Sequence, residues 1–449
     1  MTEESEIQLD RKGEIKEFCD KHNLAVKTLL DTLRTEHPKA RLNDVLAMSP
    51  GKDPHWLRPA HLEKAIWAKK IYEDFVLPWM DKNKVESRHV RGIHYTIEGQ
   101  IDKPDGTLYT KEDYGHLVEG FKFGRLLGLV PWERVHDNKN TVRYNYRETE
   151  DHKDFAETKA KARENVSVKG LIENLVWPFR KMLNPWKYQA YHIELWAEKP
   201  IDLTVKMVEK YGINYVVGEG ETSVTQLFLL LERIKEVGKP TIIGYISDFD
   251  PIGFALPASM VTKLGYMLPY AEIDTPVHVH HLMVTPPQLK DYELPTAPVK
   301  KGSKGYETRK RDFFKAHKVD GAVEAQSLET LHPQVYLDTI EMFIERFVDI
   351  PLWKKVKAYN RNLMAGLSEE LHSTSPDEET MEKLRQWFDE GALWDDWEYD
   401  VEHHREHEFL PNEALEQDYT KRQWLFDSSR DYVRQLKAVK GFQNGNVRL

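Results

Sequence analysis

The sequence predicts an α/β protein built on a parallel sheet, with a small α+β unit before the sheet and a helical region after it. Three observations carry this. From 188 to 330, apolar strand-like runs alternate with amphipathic helical patterns, as crossover helices over a parallel sheet require. From 56 to 149, short helical patterns surround one strand-like piece and a Pro/Gly turn. From 331 to 449 the periodicity is helical.

Residues 1–55 form an N-terminal helical segment, because GEIKEFCDKHNLAVKTLLDTLRT (13–35) places apolar residues at helical spacing. SPGKDP (49–54) is Pro/Gly punctuation and marks a boundary. Helical periodicity resumes from Leu62 to Met80. RGIHYTIEG (91–99) has the composition of a strand, DKPDG (102–106) that of a turn, and Lys111 to Leu127 that of a helix. Three short helices with a small hairpin fit a winged-helix unit, and fit many other small α+β domains equally. Residues 150–187 are a polar, helix-prone connector. The strands of the sheet are AYHIELWAE (190–198), INYVVG (213–218), PTIIGYISDFD (240–250) and HVHHLMVT (278–285). Helices are expected between them, at 200–212, 223–238 and 252–266.

Charge is distributed unevenly. The 449 residues carry a net charge of −10, which taken alone counts against nucleic acid as a partner. Residues 366–420, however, hold 18 Asp+Glu against 3 Lys+Arg, and the remainder up to residue 365 is neutral. The sum therefore describes an acidic segment and leaves room for a cationic face elsewhere. No apolar run is long enough to span a membrane, and the acidic start MTEESEIQLD does not resemble a secretory signal. The single Cys19 excludes an internal disulfide and a cysteine zinc site, so a cytoplasmic location is expected.

The chemistry gathers around YISDFDPIG. Alternation puts Asp248 and Asp250 on one side of an extended chain, at the carboxyl end of the most apolar strand. Glu198 ends the first strand of the same unit, in WAEK. Three acids at neighbouring strand ends suit a hard divalent cation, Mg²⁺ or Mn²⁺. The alternative is a simple turn, Asp250-Pro251-Ile252-Gly253, leading into a helix.

A Glu ending one strand, a Gly-containing turn after the next and DFDPIG ending a buried strand resemble a Toprim domain. With WAEK upstream, they resemble the topoisomerase VI A subunit and its meiotic double-strand-break relatives, and above all the small phage- and plasmid-borne Mini-A-type proteins. LMVTPPQLKDYELPTAPVKK (282–301) and YGHLVEGFKFGRLLGLVPWERV (114–135) are similar to the same proteins. The resemblance spans about residues 60–350. It extends to an Arg-x-x-x-Tyr segment in a winged-helix domain, which VRGIHY supplies with Arg91 and Tyr95. It departs at Gly92, where the family commonly has an acid, and at Phe249, where a small residue is usual.

The resemblance implies that Tyr95 attacks a DNA phosphodiester with help from Arg91. It also implies that Glu198, Asp248 and Asp250 hold Mg²⁺ and that a homodimer cuts double-stranded DNA. A separate ATPase subunit would be needed for strand passage. Two other functions fit the same residues: a hydrolytic Toprim nuclease, and a DNA-binding protein without activity.

Further signals concern phosphate. KKGSKGYETRKRDFFKAHK (300–318) has eight Lys/Arg against two acids, with Tyr306, Phe313 and Phe314 interleaved. It offers Lys300, Lys301, Arg309 and Arg311 as phosphate contacts, and Lys122 and Arg125 are candidates of the same kind. A solvated charged face is the alternative. GEGETS (218–223) has two glycines before a helix and backbone N–H groups to offer a phosphate, but lacks the lysine of a P-loop. A turn with Thr222 or Ser223 as helix cap explains it equally well.

Overall fold

The computed structural model of the chain describes residues 12–137, 143–144, 184–218, 220–299, 304–359, 362 and 424–443. The connector from 150 to 183 and the acidic segment 366–420 lie outside the described residues. Among the described residues, no helix is long and apolar enough to cross a membrane.

The amino-terminal part is helical, as its periodicity predicts: α1 (Lys12–His22), α2 (Leu24–Glu36), α3 (Leu42–Val45) and α4 (Pro59–Ile71). The expected helix from Leu62 to Met80 is interrupted. After α4 comes a π-helical turn (Tyr72–Val76), then α5 (Leu77–Asn83). Pro78 accounts for the break, since proline lacks an N–H and its ring clashes with the carbonyl four residues back. The boundary expected at 49–54 is a docked turn. Asp53 is buried and accepts from the N–H groups of Met48 (3.1 Å) and His55 (3.0 Å). His55 Nε2 lies 3.1 Å from the Thr262 carbonyl, and its ring stacks on Tyr432 at 4.3 Å.

The strand expected at 91–99 is a helix. After β1 (Arg88–His89), α6 (Val90–Ile97) buries Val90, Ile93, His94 and Ile97, a 3–4 spacing that its β-prone composition masks. β1 pairs in parallel with β2 (Val135–His136), and the expected hairpin is reduced to a single antiparallel bridge, Asp102 to Leu108. Between them α7 (Tyr114–Leu126) packs along α4, with Gly120 so close that a Cβ would lie 2.9 Å from the Lys64 carbonyl.

The predicted sheet is present. β3 (Arg143–Tyr144), β4 (His192–Ala197), β5 (Asn214–Val217), β6 (Thr241–Ile246), β7 (Val277–Met283) and β8 (Phe426–Asp427) lie in the order β3-β5-β4-β6-β7-β8. The inner four strands are parallel and the two edge strands antiparallel. β4, β5 and β6 are buried at every position, because helices cover both faces. The crossovers are α8 (Asp202–Tyr211), α9 (Val224–Val237) and α10 (Ala255–Tyr270). After β7 come α11 (Pro286–Tyr292), α12 (Lys304–His317), α13 (Ala325–Leu331), α14 (Pro333–Glu345), a helical run over 350–359 and α15 (Tyr432–Gln443). The carboxyl-terminal region is therefore not purely helical. β8 closes the sheet against β7, and α15 packs on α10, where the Tyr432 hydroxyl donates to Thr262 Oγ1 at 2.7 Å.

A buried ion pair joins the sheet to the helix above it. Glu194, on β4, receives two bonds from Arg233 of α9, Nε to Oε1 at 2.6 Å and Nη2 to Oε2 at 2.9 Å. His192 and Asn214 approach Oε1 and the Trp196 indole donates to Oε2. Burial pushes the carboxyl up, but the Arg233 charge and bonds outweigh it and hold Glu194 well below the usual range. Arg233→Met should therefore cost about 3–5 kcal/mol of unfolding free energy, because it leaves a buried charge unpaired. Replacing Glu194 and Arg233 together by Leu should cost less than either single change. Urea titration of Arg233→Met, Glu194→Leu and the double variant checks this, and a double variant worse than both singles would refute it.

Candidate functional site

Chain order and sheet order together locate the site. β4 connects to β5 on one side, and β5 then connects across to β6 on the other. The winding reverses between β4 and β6, and ligands of open α/β sheets bind in the crevice that such a reversal opens at the strands' carboxyl ends. Glu198 comes directly after β4, and Asp248 and Asp250 come after β6. The structure brings these three acids to one edge of adjacent strands.

Local geometry differs from the sequence expectation in one respect. β6 ends at Ile246, so Asp248 and Asp250 are not alternate residues of a strand. Asp250 turns back, its Oδ1 accepting from the N–H groups of Ile252 and Gly253 at 2.7 Å each. This is the Asp-Pro turn, and it exists alongside the acid cluster. Gly253 makes it feasible, since a Cβ there would lie 2.1 Å from the Asp248 carbonyl oxygen. The bulky Phe249 points away from the acids, with its ring 5.1 Å from both Phe254 and Phe313 and 5.0 Å from His317. Its backbone bonds both ways with Val323, which lays the strap 322–325 beside the turn.

That strap delivers groups the sequence did not mark. The Ala325 N–H donates to Asp248 Oδ1 at 2.9 Å. Lys199, next to Glu198, donates to Asp248 Oδ2 at 2.7 Å and reaches Glu324 Oε1 at 3.5 Å. WAEK carried Lys199 in plain view, whereas Glu324 joins the site only through the long-range bridge of Phe249 to Val323.

Glu198 is the electrostatic focus. Its Oε2 is buried without a hydrogen-bond partner. Burial first, then the charges of Asp248 and Asp250, push its carboxyl up to about 7. Burial likewise raises Asp250, against the pull of its two N–H donors. An orphaned carboxylate oxygen beside two more acids is a donor set suited to a hard cation. As placed, no three acid, His or Cys side chains among the described residues stand close enough to share an ion; Lys199 holds Asp248 and the turn holds Asp250.

Arg91 and Tyr95 stand together on α6. The correction from strand to helix matters, because residues four apart are ~13 Å apart along a strand but ~6 Å apart on one helix face. Tyr95 is 64% exposed. Arg91 is exposed too, its guanidinium 5.5 Å from the Tyr114 ring centroid. His94 between them faces inward and bonds the Tyr109 hydroxyl at 2.7 Å.

The candidate phosphate contacts divide. Arg125 is a correction: it is 0% exposed, paired with Asp137 at 2.8 Å and bonded to the Val135 carbonyl and Thr225 Oγ1. It ties α7 to α9 and does not face a ligand. Lys122 is half-buried and faces a crevice. Arg311 is exposed on α12, near Asp312 at 3.1 Å. Phe313 and Phe314 pack into the core and present no stacking surface. Lys300, Lys301 and the Arg309 side chain lie outside the described residues. Ser223 caps α9 as expected, accepting from the Gln226 N–H at 3.2 Å.

Neither the models of known protein families nor the sequences of curated proteins match this chain.

The strain at Glu198 is measurable without a metal. A carboxyl raised in the folded state favours folding most below its unfolded value of 4.5, and that contribution is lost as pH rises through about 7. In EDTA, wild-type stability should therefore fall from pH 4.5 to 7 relative to Glu198→Gln, by up to about 3 kcal/mol. Parallel pH–stability curves for the two proteins would refute this.

Proposed function

We propose that this chain is a Mg²⁺-dependent DNA-cleaving enzyme of the topoisomerase VI A type, acting as a homodimer through tyrosine transesterification. The observation that carries it is the acid group at the winding reversal, with Glu198 raised by its two neighbours and one of its oxygens unpaired. Structural carboxylates are normally paired when buried, and a buried acid left unsatisfied at a strand end suits a cation better than it suits stability.

The chain's own residues have separate tasks. Glu198, Asp248 and Asp250 would hold Mg²⁺, which when bound supplies charge stabilisation to phosphoryl oxygens. Lys199 holds Asp248 in place of a cation. The Tyr95 oxygen forms the new bond to phosphorus as the ester P–O bond to a deoxyribose oxygen breaks, and the phenol proton passes to solvent. Energy of the linkage is kept in the phosphotyrosyl bond, so the break can be resealed. A phenol is a weak nucleophile near pH 7, with a pKa of about 10, and Arg91 one turn away steadies the negative charge that gathers on the attacking oxygen and the phosphate. In a two-fold dimer, Tyr95 of one protomer works with the acids of its partner, and symmetry yields one cut per strand.

Denaturing the protein on radiolabelled DNA with Mg²⁺ should trap a covalent adduct. Tyr95→Phe and Asp248→Ala should each abolish the adduct and the cleavage. Cleavage that survives Tyr95→Phe but not Asp248→Ala would replace this mechanism with metal-dependent hydrolysis. No cleavage by the wild type in either Mg²⁺ or Mn²⁺ would leave only DNA binding.

A further inference from the structure

A second charged cluster, of opposite sign, lies near the same end of the sheet. A crevice of about 220 Å³ is lined by Lys122, Lys263, Gly218, Thr222, Ser223 and Gln226, among others. At ~30 Å³ of liquid volume per water, that is room for a phosphate group and a few waters. Its walls come from α7, the loop before α9 with Glu221, α10, and Asp137, Trp196 and Val216 beside them.

The arrangement centres on Glu221. Lys263 is only 2% exposed, and its ammonium donates to Glu221 Oε1 at 2.9 Å and to the Thr222 carbonyl at 2.6 Å. Ser259 Oγ donates to the same carboxylate oxygen at 3.1 Å. Lys52 takes the other oxygen, also at 3.1 Å. Lys122 donates to the Lys52 carbonyl at 3.1 Å, beside the ring of Phe123. Burial, then the neighbouring charge of Lys263, pulls Lys122 down to about 8. The same lysines, against burial, hold Glu221 down at about 2.

Three lysines, Lys52, Lys122 and Lys263, gather around the single carboxylate of Glu221, while Asp137 is committed to Arg125 and the charges of Glu119 and Asp53 also bear on Lys122. Burying the Lys263 ammonium opposes folding, and an apolar residue there would fill the space with less penalty. The amino end of the 14-residue helix α9 adds its own partial positive charge to the same crevice.

We propose that this crevice is a phosphate-binding subsite in which Glu221 acts as an internal stand-in for the ligand. The Glu221 oxygens occupy positions where two ammonium groups and a hydroxyl would receive phosphate oxygens. Its tether permits exchange: Gly220 has φ +92°, a conformation natural to glycine, and the loop is anchored at Gly218, whose N–H donates to the Ala197 carbonyl at 2.9 Å. That anchor is next to Glu198, so the phosphate subsite and the acid group share one strand end. The subsite stands on its own geometry and does not depend on the metal reading.

Isothermal titration of the full chain with inorganic phosphate and with pyrophosphate, in EDTA, tests it. Glu221→Gln removes the competing charge while keeping the side chain's shape, and should tighten binding about tenfold or more. Lys122→Met and Lys263→Met should weaken binding by a similar factor, with Lys122→Met the safer variant should Lys263→Met fail to fold. Unchanged or weaker binding in Glu221→Gln would overturn the proposal, as would unchanged binding in folded Lys122→Met. A short DNA duplex that displaces pyrophosphate from the wild type assigns the subsite to the nucleic-acid backbone. Displacement by a nucleoside diphosphate but not by DNA assigns it to a free nucleotide.

Discussion

Glu194 has no contact with water, and the sheet is organised around that fact. A carboxylate in the middle of β4 is tolerable only if charge and hydrogen bonds surround it, and Arg233 on α9 supplies both. The pair fixes the helix over the strand at one spot. Glu198 and Lys199 follow the end of β4, and Gly218 is tied to that same end by its N–H bond to the Ala197 carbonyl. The acid group and the lysine crevice both stem from this junction.

Those two clusters obey one physical rule with opposite signs. Three acids stand at one strand end, and a lysine from the chain itself sits among them. Three lysines stand around the neighbouring loop, and a glutamate from the chain itself sits among them. In each case the internal counter-charge makes burial tolerable in the free protein.

Much of the sheet was legible in the sequence because its signal is local. Apolar runs of strand length between helical patterns gave β4 to β7 and the helices between them, and DFDPIG with WAEK gave the acids. The misses have particular causes. His-Tyr-Thr-Ile in α6 is β-prone in isolation, and tertiary burial at 3–4 spacing overrides that preference. Arg125 looks like any basic residue on a helix until Asp137 and Thr225 enclose it. The Glu194–Arg233 pair and the strand β8 depend on contacts 39 and about 150 residues apart, which no sequence window contains. Glu324 was hidden for the same reason.

The correction at α6 also bears on how the residues work together. As a strand, the segment would have spread Arg91 and Tyr95 along the chain with little direct influence of the cation on the phenol. As a helix, it sets them one turn apart on an exposed face, with Ile93, His94 and Ile97 locking the other face into the core. A guanidinium at that spacing acts on whatever anion approaches the hydroxyl. Tyr95 itself remains exposed at the surface of the helix. Packing therefore fixes the helix, the helix fixes the pair, and the pair remains accessible from outside.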